Sequence, residues 1–511
     1  MRMMSTAAIG LALTFLSAPL VHAKTDFAFG SLNAQAESQI TVFIGKDGKL
    51  SGAAERANEK TEGRLEQALK DADFKAKFGK KIHLYGLSPY KSVTVIGTGN
   101  NALDMRDLRD LGGYVAQASD NESNLSVMVD GLNTENGAPA AQLAMGYALS
   151  AYRFDKYKED AKNIDRTVSF HSDETSAAST LFNSDLSHMV KGVTFARDMG
   201  TEPGKSIYPE SFVQNVRALF RGVDGVRIDV MEIAELKRRN MGALVGVGQG
   251  SINDPRLIVV TYNGGDRSED PIALVGKGIT FDTGGISLKP NNGQWLMKSD
   301  LSGAAAVAGA VYSAAMRGAD VNLVGVMAMA ENMPSQDAIR PGDVLETMSG
   351  KTIEVMSTDA EGRLVLSDAV TYVQEEYDPR LLINIATLTG SAARALGDDY
   401  GAVITRDWEL SEHMMRIGEK VGEDVWPLPL NENHYKAIRS DIADIKSTAG
   451  SPGASIGGAV IGTFVDKDRP WVHLDIAGVD WLDKGIPTTP KGHAGWGVRF
   501  LDGVVREMQD E

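Results

Sequence analysis

The sequence predicts an α/β protein: a small N-terminal α/β domain and a larger α/β domain with a mainly parallel central sheet. Three observations lead there. Runs of strand length alternate with helically spaced segments along nearly the whole chain. Beyond residue 206 the runs are continuously apolar, as in 256–262 (RLIVVTY), the pattern of strands covered on both faces. And 511 residues are too many for one ordinary core, so at least two domains are required.

In chain order, residues 24–50 read as a loosely ordered lead into a first strand, Gln39–Ile44. Residues 54–78 are rich in Ala, Glu and Lys and suit helix. Short β-rich runs follow at 81–86 and 92–97, then a helix at 107–118, a strand at 125–129 and a helix at 138–152, closing a domain at 24–172. Residues 173–205 form a helical linker, stopped by Pro203 and Gly204. From 206 to 511 the alternation strengthens. Helices are expected at 211–220, 234–239, 301–317 and 364–376. Strands are expected at 226–230, 256–262, 271–275, 321–330, 351–356, 381–386 and 472–476, with a glycine-rich turn at 242–250. Ligands of such sheets bind at the carboxyl ends of the strands.

Composition narrows the function. A formal net charge of -16 argues against nucleic acid or an anionic membrane as the main partner, since both need a basic face. The absence of cysteine excludes disulfides, thiolate metal sites and a Cys nucleophile, and with eight His and many acids it favours oxygen ligands for any metal. The first 23 residues read as an export signal: Arg2, an apolar run over 7–21, and a small-residue cleavage site at Val21-His22-Ala23. The mature chain would then be periplasmic or secreted, with no membrane attachment; a cytoplasmic protein is the alternative.

Two clusters carry the chemistry. VGKGITFDTGGISLKPNNGQWLMKSD, at 275–300, places Lys277, Asp282, Lys289 and Asp300 among glycines, after a strand. STDAEGR, at 357–363, adds Asp359, Glu361 and Arg363, also after a strand. Four carboxylates gathered at strand ends are costly unless positive charge is supplied. Lys277, Lys289 and Arg363 supply some, and a pair of divalent cations would supply the rest. A network of surface salt bridges around flexible turns explains the same spacing.

These segments, with MKSDLSGAAAV, YRFDKYK, GVGQGS, PRLIVVTY, ATLTGSAARALG and HLDIAG, resemble the leucyl aminopeptidase family of hexameric two-metal peptidases. Ser357 stands where that family usually has Asn. The resemblance implies a macro-like small domain, a metallopeptidase domain at 206–511, and removal of the N-terminal residue from peptides, Leu and other apolar residues preferred. It implies two divalent ions per subunit, Mn or Zn first, with Mg or Co also accepted. Lys277 and Asp300 would bind the tighter ion and Asp359 the more exchangeable one, while Asp282 and Glu361 bridge both. Lys289 would stabilise the developing oxyanion, and Arg363 would hold a bicarbonate-like anion acting as base. Met297, Thr387, Gly390 and Ala477 would line the side-chain pocket. Asp480, at a position where some relatives carry Met, would be an acid at its rim that broadens acceptance towards basic residues. A homohexamer is implied, with no nucleic-acid partner.

Three rival readings have weaker support. Gly453-Ala454-Ser455-Ile456-Gly457 matches the G-x-S-x-G of serine hydrolases, but no strand precedes it, as a nucleophile elbow requires. Gly246-x-Gly248-x-Gly250 lacks dinucleotide-binding spacing. A non-catalytic relative is the third, against which stands the presence of all seven ligand and catalytic groups. His473, inside a strand, reads as structural.

Overall fold

The computed structural model of the chain describes residues 24–509 apart from 35, 37, 100–101, 120–122, 135–136 and 160–163. The expected export signal, 1–23, lies outside the described residues.

Six strands make the N-terminal sheet: β1 (Thr25–Gly30), β2 (Gln39–Ile44), β3 (Lys81–Tyr85), β4 (Ser92–Gly97), β5 (Asn124–Met128) and β6 (Arg166–His171), in the order β1-β6-β5-β2-β4-β3. All neighbours are parallel except β3 and β4. β1 corrects the expectation of a loose lead, and β6 was not anticipated. Both are half exposed, so their apolar signal is weak, and each is fixed by pairing with the other across the domain. The helical stretch at 54–78 is two helices, Gly52–Lys60 and Arg64–Asp71, broken at Gly63, whose φ of +82° suits glycine.

The larger sheet has eight strands. Four are β7 (Val226–Met231), β8 (Arg256–Asn263), β9 (Ile272–Asp282) and β10 (Asn322–Asn332); the others are Leu381–Ala386, Gly401–Ile404, Val425–Pro427 and Trp471–Asp475. The central four, Trp471–Asp475, Leu381–Ala386, β9 and β10, run parallel. Antiparallel pairs enter only towards the edges, at β10–β8, β8–β7 and Gly401–Ile404 with Trp471–Asp475. Alternate residues of β9 serve opposite cores. Ile272 and Leu274 pack with the alanine-rich helix Ser302–Met316, and Ala273 and Val275 with the helix Glu361–Tyr377. Both faces are dry, which accounts for the unbroken apolar runs.

β9 is longer than expected. Its glycines do not end the strand; they let helix Ser302–Met316 lie on its backbone. A Cβ on Gly276 would stand 2.5 Å from the Gly303 carbonyl oxygen. Lys277 therefore projects from within the strand, not beyond its end. The glycine-rich stretch at 242–250 also differs from expectation, forming a helix over Gly242–Gly248. Glycine disfavours helix, but the buried Asp368 carboxylate accepts the Leu244 N–H at 2.8 Å and fixes the first turn from outside.

The linker runs without interruption through Thr175–Leu181, a π-helical turn at Phe182–Leu186, and Ser187–Thr201. It crosses helix Ser302–Met316 where Gly192 meets Gly309: a Cβ on Gly192 would lie 2.5 Å from the Gly309 oxygen. The small domain also docks directly. Arg109, on helix Met105–Ala118, donates to the carbonyls of Lys420 and Val421, both at 3.0 Å, which end the helix Trp408–Val421. Among the described residues no helix is long and apolar enough to cross a membrane.

Candidate metal centre

Four segments meet at the carboxyl edge of the parallel strands. β9 brings Lys277 and, at its end, Asp282. A turn through Gly284 and Gly285, with φ of +88° and +66°, leads to Lys289. The 3₁₀ helix Gln294–Ser299 delivers Asp300. Asp359 precedes helix Glu361–Tyr377, whose first turn carries Glu361 and Arg363.

The two lysines each sit between two carboxylates. Lys277 Nζ is 2.7 Å from Asp300 Oδ1 and 2.8 Å from Glu361 Oε1, and donates to the Thr387 carbonyl at 2.9 Å. Lys289 Nζ is 2.8 Å from Asp282 Oδ2 and 2.6 Å from Asp359 Oδ1. The two sequence clusters thus form one site. All seven predicted ligand and catalytic residues converge, and the surface salt-bridge reading fails because Lys277, Asp282, Asp300, Glu361 and Arg363 are buried.

Two lysines and Arg363 do not offset four carboxylates in so dry a place, and burial shifts the carboxyl groups accordingly. Burial, with Glu361 nearby, pushes Asp282 up to about 6. Burial likewise holds Asp300 well above, and Asp359 above, the usual carboxylate range. Burial acts the same way on Glu361, but Lys277 and Lys289 outweigh it and keep that carboxyl low. Both lysines are penalised by burial yet held above the ordinary amine value by the surrounding acids.

More positive charge is what the site lacks. Asp282, Asp359 and Glu361 bring one ligand oxygen each within 4.8 Å of one another. Asp300 Oδ2 and Glu361 Oε2 are buried without a hydrogen-bond partner. An unpaired carboxylate oxygen in a dry site is costly, and a divalent cation satisfies it. The oxygen-rich donor set suits hard or borderline dications. Arg363 is buried as well; one guanidinium nitrogen donates to the Ser447 carbonyl at 3.2 Å, and its Nε has no partner, which fits a small anion.

Supporting residues escaped the sequence reading. Asn332, the last residue of β10, donates to Asp282 Oδ1 at 2.7 Å and to the Thr358 carbonyl at 3.0 Å, tying one cluster to the other. Its place at a strand's carboxyl end was the available signal. Asp475, buried at the end of its strand, accepts the backbone N–H of Leu388 at 3.1 Å and of Ala477 at 3.2 Å. It thereby joins two segments of the expected pocket. Of that pocket, Thr387 binds Asp300 Oδ1 through its hydroxyl at 2.7 Å, Gly390 is exposed, and Met297 and Ala477 are half-buried.

Asp480 requires correction. It is not a rim acid: only 6% is exposed, and its Oδ2 lies 2.9 Å from Ser299 Oγ and 3.3 Å from Ser302 Oγ. Burial pushes its carboxyl up to about 7. A side chain facing inwards onto two serines offers little to a basic substrate. Ser455 is 2% exposed inside the helix Gly453–Gly462, and Gly246 and Gly248 lie within a helix, so neither rival motif forms its site. His473 is fully buried and bonds the Asn384 side chain at 2.7 Å.

Comparison with known proteins agrees with this geometry. Residues 194–502 match the catalytic domain of the cytosol aminopeptidase family, and residues 41–161 match its N-terminal domain. The chain belongs to the cytosol aminopeptidase family. As a member it is a hydrolase, a metal-dependent exopeptidase acting on peptides. It is 39% identical over 496 residues to a probable cytosol aminopeptidase of Chelativorans sp., covering 95% of this chain and 99% of that one. A second relative, from Nitrobacter winogradskyi, is 39% identical over 94% of this chain and 97% of its own. Among solved structures, the bottromycin maturation enzyme BotP in complex with Mn superposes with a TM-score of 0.82 at 29% identity, covering 92% of this chain and 99% of that one. A mutant of tomato leucine aminopeptidase gives 0.83 at 26% identity, over 95% and 97%. The family's two domains thus frame the α/β architecture seen here, a small domain followed by a larger one with a mainly parallel sheet.

Proposed function

We propose that the chain removes the N-terminal residue from peptides, preferring Leu and other apolar residues, with two divalent cations. One observation carries this: five ligand-type side chains converge with two buried carboxylate oxygens unpaired. When bound, the cations would supply Lewis acidity for the scissile carbonyl and for the attacking water. Lys277 and Asp300 would hold the tighter ion and Asp359 the more exchangeable one, with Asp282 and Glu361 serving both. Lys277 can ligate only as the neutral amine, which neighbouring dications enforce by opposing its charge. Mn heads the list of ions, in keeping with the Mn complex of BotP, followed by Zn, Mg and Co.

The protein's own groups do the rest. Lys289 stays charged, reaches the reacting carbonyl from its loop and stabilises the oxyanion. Arg363 would hold a bicarbonate-like anion, whose chemistry would be that of a general base, in two clusters that contain no His. Met297, Thr387, Gly390 and Ala477 would line the pocket for the departing residue's side chain, the half-buried apolar Met297 and Ala477 favouring Leu.

The test is reconstitution of the metal-stripped protein with Mn, Zn, Mg or Co against a panel of aminoacyl anilides. Two equivalents of metal are expected to restore cleavage, fastest on Leu. Full activity in strong chelator, or equal rates on Leu and Asp anilides, would sink the reading. Export is part of the same proposal, resting on the apolar leader; an isolated protein that does not begin at Lys24 would overturn it. So is a homohexamer with catalytic domains inside, for which sedimentation as a monomer would be fatal.

A further inference from the structure

The 3₁₀ helix Gln294–Ser299 carries Met297 and hands the chain to Asp300, yet it has little of its own to hold it. Its N-cap is Gly293, with no side-chain cap. Hydrogen bonds in 3₁₀ helices are poorly aligned, so such short turns depend on outside support. Here that support comes from a two-stranded ribbon, Trp481–Leu482 paired with Gly492–His493.

The ribbon grips the turn on two sides. Residues three apart eclipse in a 3₁₀ helix, and Trp295 and Lys298 both meet Trp481. The Trp295 ring stands edge-on to Trp481 with centroids 5.5 Å apart, and Lys298 Nζ lies 5.5 Å from the Trp481 ring centre. Lys298 also donates to the Thr201 carbonyl at 2.8 Å, at the end of the linker. On another side, Ser299 Oγ lies 2.9 Å from Asp480 Oδ2 and equally 2.9 Å from the Leu296 carbonyl, so the carboxylate shares this hydroxyl with the turn's own backbone.

Asp480 is itself held. Its carbonyl accepts the Ala494 N–H at 2.7 Å. His493 Nδ1 accepts the Gly495 N–H at 3.2 Å, which leaves Nε2 as the donor to Ser302 Oγ at 2.8 Å. The Ser302 hydroxyl in turn lies 3.3 Å from Asp480 Oδ2. The His493 ring fills the space beside Gly200 of the linker, where a Cβ would come within 2.1 Å of it. Serines at 299 and 302 thus bracket Asp300, and both are tied to one carboxylate.

We infer that Asp480 and Trp481 are positioning residues: together they clamp the 3₁₀ turn and so set where Asp300 meets its ion and where Met297 meets the substrate side chain. This rests on the two-metal reading above. It gives Asp480 a role different from charge recognition at the pocket rim.

Titration of the stripped protein with Mn²⁺, followed by the spin resonance of the free ion, tests it apart from activity. Wild type is expected to take up two equivalents. Asp480→Ala should keep one equivalent at wild-type affinity and bind the other about tenfold more weakly, as losses of support behind a ligand do. Its KM for Leu anilide should rise as Met297 shifts. Asp480→Asn retains an oxygen to accept from Ser299 and should restore both. Ser299→Ala removes that bond from the other partner, together with the hydroxyl's contact to the Leu296 carbonyl, without opening a hole, and should weaken the same equivalent even if Asp480→Ala folds poorly. Wild-type affinity at both equivalents in Ser299→Ala or in folded Asp480→Ala, or Asp480→Asn behaving like Asp480→Ala, overturns the clamp alone. A wild type that takes up no Mn²⁺ overturns the metal reading beneath it.

Discussion

Lys277 and Lys289 look alike on paper. Each stands among glycines, and each lies between two acids. Lys277, however, projects from the middle of the sheet with 3% of its side chain exposed, and it also satisfies a backbone carbonyl. Lys289 comes from a loop beyond the strand and is 22% exposed. The first is part of the wall, and its removal leaves Asp300 and Glu361 facing each other without a counter-charge. Among the described residues the second pairs with the two carboxylates it neutralises, and on the proposed reading it would exchange them for a substrate oxygen. On that proposed reading, burial and attachment, not residue type, separate ligand from electrophile.

Substitutions can break or sharpen that contrast. The largest effect is expected for Lys277→Met, which leaves two buried acids without a partner. Breaking a buried pair costs about 3–5 kcal/mol, so denaturant unfolding of the stripped protein should show a clear loss of stability, together with loss of Mn²⁺ uptake. A stable variant that still binds two equivalents would place Lys277 outside the ligand set. Lys289→Ala comes next. It should lower kcat by roughly 10²–10³, the usual worth of an oxyanion donor, while metal uptake and melting change little. If KM rises and kcat does not, Lys289 serves binding instead. The smallest effect is expected from Gly362→Ala. Its Cβ would come within 2.8 Å of the Lys277 stem and 2.9 Å of Leu388, and overpacking of this kind costs about 1–3 kcal/mol. Lys277 would be displaced but not removed, so weakened metal binding with unchanged Lys289-dependent kcat at saturating Mn²⁺ is the result to look for.

The clustering was legible because two sets of charged residues among glycines follow apolar runs, and the ordered motifs matched one family. What was not legible depended on partners distant in sequence. Thr25–Gly30 becomes a strand only beside Arg166–His171. Gly242–Gly248 becomes a helix because Asp368 caps it from another element. Glycines at 276 and 278 suggested a break, when Gly276 instead makes room for a helix backbone. Asp480 read as a rim acid because its neighbours in sequence are pocket residues, and only the fold shows that the serines turn it inwards. Asn332 lies two residues beyond the expected strand, 321–330, because β10 runs on to the site.

Where Gly192 crosses Gly309, hydrogen is the only side chain on either helix, and the connection between the domains lies on the backbone of the larger one. Proteases cut tethers that can be lifted away from a surface, and this one cannot be lifted without parting two helices along a seam of bare peptide. Limited digestion of the folded protein should therefore trim its ends and loops and leave the two domains joined. A clean cut between 187 and 201 would show the seam to be looser than its geometry. Heritable change meets the same obstacle: at these two positions any larger residue must push the helices apart, so the linker and the catalytic core are constrained to vary together.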